Sequence, residues 1–575
     1  MKKIFCLIAC FCIFASCSDS FLDTENLTKK DSGVFPKKTE DAEQILTAMY
    51  RPAMGDPNSP QSSTLLIAEL MSDDRFGGGG TDDHDIQAIA AFKKTSENMY
   101  ARYWSLRWEG IYRANFLLNC DDNIQWDSEA VRNQVLGETY FLRAYYYFEL
   151  ARAFGNVPLV LSPDPVNNAQ ALPAEMYGQI VSDLKNAIEK LPAEKWTAGS
   201  GVGTDGHATK WAAEALMARV FLFYTGYYNQ ETVTLPGEAG GSIGKQDVIA
   251  YLDDCINNSG HSLVPEFRNL WPYSAAKDYK YNIDNKLKWI GDGADGAAFS
   301  NPEVLFAVKH SGNDWSARNN DALFFSLRYQ DDKGGSWENC YPYGEGWGCG
   351  TVVKELYENW PVEDPRRSGS ILNVDDAKEG LVSYVDGGQN QVYDTHLWNK
   401  KYTAIDTKSD DPEYTSYLGK GIEPLYWHLI PAFETAQNPD YQSNNLQDWF
   451  VIRFSDVLLM SSELKKDVNG INQVRARVGL APISAYSDEA LQNERRWELA
   501  FEGIRYYDLL RWHKEDLITS HRSNVKVLNQ AVETVVSVPF RKETKGFLPI
   551  PDQEIQKSQG VLKQNGGWAS NEGNF

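Results

Sequence analysis

The chain has 575 residues, with 79 acidic against 56 basic side chains for a formal charge of −23, and 13% aromatic residues that include 17 Trp and 30 Tyr. That length exceeds what one hydrophobic core fills, and 42% hydrophobic with 23% charged residues excludes wholesale disorder. The acidity argues against nucleic acid as a partner and suits a neutral or cationic ligand.

Lys2 and Lys3 precede the apolar run Ile4–Phe14, which ends at Ala15 and Ser16. The run is too short to span a bilayer, so residues 1–16 read as a secretory signal peptide. Phe14-Ala15-Ser16-Cys17 resembles a bacterial lipobox, which implies lipidation of Cys17. Residues 17–38 then read as lipid anchor and polar tether. No later stretch of sequence is long and apolar enough to cross a membrane. Cys6, Cys10 and Cys12 leave with the signal. Cys120, Cys255, Cys340 and Cys349 remain, without any CxxC, so neither a disulfide framework nor a zinc site is expected. Cys340 and Cys349 are near enough in sequence to bridge one loop, or to stay free.

Helical periodicity starts at Glu40 and runs through a first part, 39–228. Trp104, Trp108 and Tyr112, at i, i+4 and i+8, predict a buried helix face. Residues 128–154 read as a long helix, capped by Asp127 or Ser128 and stopped by Gly155 and Pro158. Further helices are expected over 175–191 and 208–228. The C-terminal part, 451–575, adds 453–466, 469–478 and 487–515. Successive antiparallel pairs of this kind predict a mostly α fold, a tetratricopeptide-like helical-repeat scaffold of degenerate period. Between 229 and 450 Gly, Asn, Asp and aromatics replace the periodic runs, and only 351–360 looks helical. This middle part reads as a large irregular, loop-rich ligand-binding region.

Signals for catalysis are poor. Gly201, Gly203 and Gly206 match GxGxxG, but no strand precedes them, so they read as a turn between helices. GxxxxGK[ST] and HExxH are absent from the sequence, and the eight His residues form no spaced metal pair. Asp82, Asp83, His84 and Asp85 are the densest set of oxygen donors; they read as a solvated loop, with calcium as the alternative. Among 79 acids no pair is singled out for glycoside hydrolysis. No cofactor, metal or catalytic residue is expected.

Four stretches in order carry a family resemblance. They are Tyr140–Phe148 followed by Phe154-Gly155-Asn156-Val157-Pro158; Arg453-Phe454-Ser455-Asp456 through Met460; Asn493–Gly503 running on to Arg505–Trp512; and Phe547–Pro551 with Leu562–Asn565. Together with Ser18–Asp23 they resemble the SusD/RagB family of Bacteroidetes surface lipoproteins. The resemblance implies four tetratricopeptide-like helix pairs, no catalysis, and a lipid-anchored place on the outer membrane facing the cell exterior. It also implies a role as lid over a TonB-dependent (SusC-like) transporter, capturing oligosaccharides or polysaccharides in most members and peptides in some. A peptide-binding lid is therefore the alternative, and a glycoside hydrolase the more distant one.

Arg495, Arg496, Glu498, Glu502 and Arg505 stand at helical spacings and read as structural ion pairs. Sugar rings stack on aromatic planes, so the ligand-binding candidates are Phe76, Trp271, Tyr273, Trp289, Trp315, Asn319, Trp337, Tyr341, Tyr343 and Trp347. The family's platform loop after the first helix corresponds here to Asp73-Asp74-Arg75-Phe76-Gly77, with Phe where Trp is common. Trp315, Trp337 and Tyr341 are expected to share one exposed stacking surface, with Asn313, Asp314, Arg318, Asn319 and Asn320 as polar neighbours.

Overall fold

The computed structural model describes residues 35–195, 206–237, 240–291, 301–312, 315–328, 330–408, 421–426 and 445–575. The signal peptide, Cys17, Gly201, Gly203, Asn313 and Asp314 lie outside the described residues.

Helices form where the periodic runs stand: α1 (Thr39–Tyr50), α2 (Thr64–Leu70), α3 (Ala101–Cys120), α4 (Glu129–Phe154), α5 (Pro173–Lys190), α6 (Lys210–Tyr227) and α7 (Lys245–Asn258). After the irregular middle come α8 (Phe454–Lys465), α9 (Asn469–Arg477), α10 (Asp488–Leu499) and α11 (Arg505–Arg511). Consecutive helices from α3 to α7 pack on one another, and α8 packs on α7, α9 and α10, so the C-terminal helices close the array begun by the N-terminal ones. This is the helical-repeat scaffold expected from the sequence.

Local chemistry explains the anchoring helix. Ser128 Oγ accepts from Val131 N at 3.2 Å and starts α4, and Gly155 ends it at φ +71°. From Val135 onward α4 is buried on nearly every face, because α3 and α5 flank it. A Cβ on Gly110 of α3 would fall 2.3 Å from the Tyr146 ring, so glycine permits that close crossing. Arg143 of α4 grips Asp183 of α5 with two bonds of 2.8 and 2.7 Å.

Three expectations need correction. The stripe Trp104–Trp108–Tyr112 leaves the core: Trp104 is buried, whereas Tyr112 is 55% exposed. Four residues overshoot one turn of 3.6, so an i, i+4, i+8 row drifts by about 40° per step. The run 487–515 is two helices rather than one. Phe501 (φ +68°) and Gly503 (φ +80°) break it. The break lets the Phe501 ring lie 4.4 Å from the Arg75 guanidinium and lets Gly503 N donate to Glu69 Oε1 at 2.8 Å. The middle part is also more helical than expected: besides α7 it contains short helices at Lys280–Asn285, Asp321–Phe325 and Pro365–Ser370, and the expected 351–360 forms Lys354–Asn359.

The strands form two-stranded ribbons: β1 (Thr232–Thr234) with β2 (Ser242–Gly244), β3 (Val304–Val308) with β10 (Trp449–Arg453), β4 (Leu327–Arg328) with β5 (Glu345–Gly346), β6 (Ile371–Asn373) with β7 (Leu397–Asn399), β8 (Asp406–Lys408) with β9 (Ile422–Pro424), and β11 (Val525–Asn529) with β12 (Val532–Val536). Only β4–β5 is parallel. The antiparallel β3–β10 ribbon, buried along its length, pins the middle part to the helices: Phe306 meets Phe141 edge-on at 4.9 Å.

Beneath this ribbon lies a buried ionic core. Arg453 is shared by Glu303, Glu498 (3.0 Å) and Glu502 (2.7 Å). Arg366 binds Asp364 (2.7 Å), Glu494 (2.6 Å) and Glu498 (3.1 Å). The family-signature charges thus pair with other elements and not along their own helix. Arg495 binds Asp456 and Asp508, Arg496 binds Asp74 and Glu355, and Arg505 binds Asp73.

Candidate functional site

The ten candidate binding residues divide by burial. Phe76, Trp271, Tyr273, Tyr343 and Asn319 lie in the interior and are withdrawn as ligand contacts in this conformation. Phe76 stacks on Tyr393 at 5.6 Å under a small cluster with Val353, Val527 and Val538. Trp271 sits edge-on to Tyr402 at 5.7 Å, with Lys401 Nζ 4.7 Å from its ring. Tyr273 donates to Gly369 O at 2.9 Å, and the Tyr343 and Tyr279 hydroxyls pair at 3.1 Å. Asn319 donates to Gln447 O at 2.6 Å, so its amide holds the loop to the 445–448 segment. The polar neighbours Arg318 and Asn320 are buried as well, Asn320 donating to Pro57 O at 3.2 Å. The physical reason is common to all: long-range loop packing gives these side chains a core that no local helical face announces.

Trp289, Trp315, Tyr341 and Trp347 reach the surface. Trp315 is 39% exposed, on a turn held from the helical side by Arg51 Nη2 donating to Ser316 O at 2.7 Å. Tyr341 is half-buried, with Lys408 Nζ 5.4 Å from its ring and Asp278 paired to Lys408 at 3.0 Å. Trp315 and Tyr341 are thus held by different elements. The side chain of Trp337 lies outside the described part of the structure.

Two stretches of loop surface follow. In the first, the β8–β9 ribbon is the frame. Asp406 N donates to Pro342 O at 2.8 Å and Leu425 N to Ile405 O at 2.9 Å, which brings the Tyr341 loop and Tyr426 to one ribbon. Trp289, half-buried, meets Tyr426 edge-on at 6.2 Å. Burial pushes the Asp406 carboxyl up to about 7. Burial, with Asp331 and Asp406 adding, takes Glu345 to about 8. Carboxyls that carry a proton near neutral pH both donate and accept, as a sugar hydroxyl requires.

In the second, Gly77–Gly80 lies flush on Gly348–Gly350: Gly79 N donates to Gly348 O at 2.8 Å and Gly350 N to Gly77 O at 2.7 Å. A Cβ on Gly78 would fall 2.5 Å from Gly348 O, so the glycines are what allow the contact. Across it, Arg328 Nη1 binds Asp83 Oδ2 (3.0 Å) and Trp347 O (2.7 Å), and the Trp347 ring stands edge-on to Phe324 at 5.2 Å. Asp83 thus pairs with Arg328 and accepts from Gly80 N at 2.6 Å. Cys340 and Cys349 are both buried and free, so the loop they flank is not cross-linked.

The sequence reading missed one cluster. Asp386, Asp394 and His396 bring donor atoms within 4.8 Å of one another. Their spacing of eight and two residues matches no metal motif, so only the fold reveals them.

A helical-repeat scaffold carrying a loop-built face with surface aromatics defines a binding protein. The known proteins it matches say the same. The family model described as "SusD family" matches residues 302–568, and that described as "Starch-binding associating with outer membrane" matches 20–222. Together the two models span most of the chain, which is similar in sequence and fold to the non-catalytic, SusD-like binding proteins. It is 22% identical over 542 residues to a SusD-like protein of Bacteroides ovatus, covering 89% of this chain and 83% of that protein. It is also 22% identical over 538 residues to SusD-like protein P2 of Formosa agariphila, covering 88% and 87%. Among solved structures, a laminarin-binding SusD-like protein superposes with TM-score 0.67 at 26% identity, covering 93% of this chain and 100% of that one. Surface glycan-binding protein A from Bacteroides thetaiotaomicron, in complex with laminarihexaose, superposes with TM-score 0.67 at 19% identity, covering 92% and 100%. No described helix is long and apolar enough to cross a membrane.

Proposed function

We propose that this protein captures a neutral oligosaccharide on its loop-built face and passes it to a TonB-dependent outer-membrane transporter. In this reading Cys17 carries the lipid that holds it to the outer membrane, facing the cell exterior. The observation that carries the proposal is Trp315, 39% exposed on a polar turn, with Trp289, Tyr341 and Trp347 also at the surface of the same loop-rich part. Rings held at a surface by loops offer flat apolar faces to sugar C–H groups, and the acidic chain disfavours anionic glycans. The names of two structural neighbours make laminari-oligosaccharides the first probe.

Calorimetry with laminarihexaose, other neutral hexasaccharides and a peptide panel tests the capture step. Trp315→Ala and Trp289→Ala should each weaken glycan binding about tenfold or more while the fold persists. Binding of peptides alone, or release of shortened sugars, would replace this reading. Cys17→Ala should abolish labelling by a fatty acid, and purification from native membranes should recover a large barrel with the wild-type protein.

A further inference from the structure

We propose that Asp386, Asp394 and His396 form a binding site for a first-row divalent transition ion, with Zn²⁺ as its reference occupant. His396 Nδ1 lies 2.8 Å from Asp375 Oδ2, and its Nε2 lies 2.9 Å from Asp386 Oδ1. A neutral imidazole has one N–H. With Nδ1–H donating to Asp375, the gap between Nε2 and Asp386 is filled either by a second proton on the ring or by a cation. The donor atoms of Asp386, Asp394 and His396 all lie within 4.8 Å of one another, and tetrahedral ligands about 2.1 Å from a zinc ion stand about 3.4 Å apart, so a small outward shift of Asp386 admits the ion.

The surroundings are those of a built site. A metal-bound imidazole is commonly fixed by a carboxylate on its other nitrogen, the position Asp375 holds here. Asp394, buried, accepts from Tyr384 Oη at 2.7 Å and from the His396 backbone N at 2.8 Å, so its carboxylate is aimed. The Tyr384 ring meets the imidazole edge-on at 5.4 Å. Asp394 is itself tied to β11 by paired bonds with Leu528 of 3.0 and 2.7 Å. His396 holds φ at +63°, a left-handed conformation that the neighbouring contacts sustain. One imidazole with two carboxylates selects a borderline ion over calcium or magnesium, which prefer all-oxygen sets. Asp375, Asp394 and His396 also line a groove of about 380 Å³ between Lys354–Asn359 and the β11–β12 hairpin, which gives an ion entry from solvent.

The test is calorimetric titration of chelator-treated full-length protein with ZnCl₂ and, separately, CaCl₂. Wild type should bind Zn²⁺ at one site with micromolar or tighter affinity and Ca²⁺ far more weakly. Asp386→Asn and His396→Asn, the latter chosen because Asn tolerates positive φ, should lose this affinity by more than about 30-fold. Asp375→Asn should weaken it about tenfold. Cobalt(II) should give a visible absorption band that disappears in His396→Asn. Should His396→Asn not fold, the more exposed Asp386→Asn decides. Zn²⁺ affinity unchanged in these variants, no Zn²⁺ binding up to about 100 μM, which would leave a proton alone between the groups, or preference for Ca²⁺ would each overturn the proposal.

Discussion

Trp271→Ala separates the two roles that aromatics play in this chain. Trp271 has 0% of its surface exposed and is surrounded by Phe267 at 5.9 Å, Tyr402 at 5.7 Å and Phe450 at 5.8 Å, ring centre to ring centre. Removing about 200 Å² of buried apolar surface at about 25 cal/mol per Å² forfeits about 5 kcal/mol. Truncations of buried aromatics cost about 3–5 kcal/mol, because the cavity relaxes only in part. For a chain of 575 residues the unfolding entropy is about 1.2 kcal/mol per kelvin, so melting should fall by about 3–4 °C. Scanning calorimetry measures that shift, and titration with laminarihexaose measures affinity per folded molecule, which should not change. An unshifted melting temperature with tenfold weaker binding would refute the reasoning and return Trp271 to the ligand face.

Arg453→Leu strips the shared cation from Glu303, Glu498 and Glu502 and should cost about 3–5 kcal/mol in urea unfolding, whereas a loss under about 1 kcal/mol would show that Arg477 and Lys401 suffice. Burial raises Asp456, but Arg495 and Arg219 outweigh it and hold the carboxyl at about 2. Its stabilisation is therefore present above the unfolded value near 4 and lost as pH falls toward 2. Arg495→Met should move acid unfolding, followed by circular dichroism, to higher pH. Asp406 has the opposite sign: burial raises it to about 7, so its cost grows as pH climbs from about 4 to 7, to an upper bound of roughly 4 kcal/mol. Asp406→Asn should melt higher than wild type at pH 7.5 and match it at pH 4; equal melting at both would refute the assignment.

The scaffold was legible because helices announce themselves locally. The run 128–154 carried its cap, its stop and its periodicity in adjacent residues, and the helix Glu129–Phe154 follows them to within one residue at its start. The ligand face was not legible in the same way. Trp271 and Trp315 sit in similar Ser- and Asn-containing stretches, yet one is enclosed and the other stands at the surface. What separates them is contact with distant segments: Tyr402 and Phe450 for Trp271, Arg51 below the turn for Trp315. A window along the sequence contains neither set. The His396 cluster was hidden for a different reason: its residues are close in sequence, but their spacing matches no metal motif.

The family-signature charges give the converse case, residues recognised from the sequence whose partners only the fold supplies. Glu498 at the end of α10 and Glu502 in the break that follows together reach Arg453 on β10, Arg366 of the middle part and Lys401 beyond β7. Glu69 joins from α2 by taking Arg75 at 2.7 Å and the Gly503 amide at 2.8 Å. These buried charges are costly alone and satisfied only when three distant parts of the chain are assembled, so they specify register more than they add stability. Trp315, 39% exposed on its turn, can then be set by what it binds, whereas Trp271, packed among Phe267, Tyr402 and Phe450, is set by the fold.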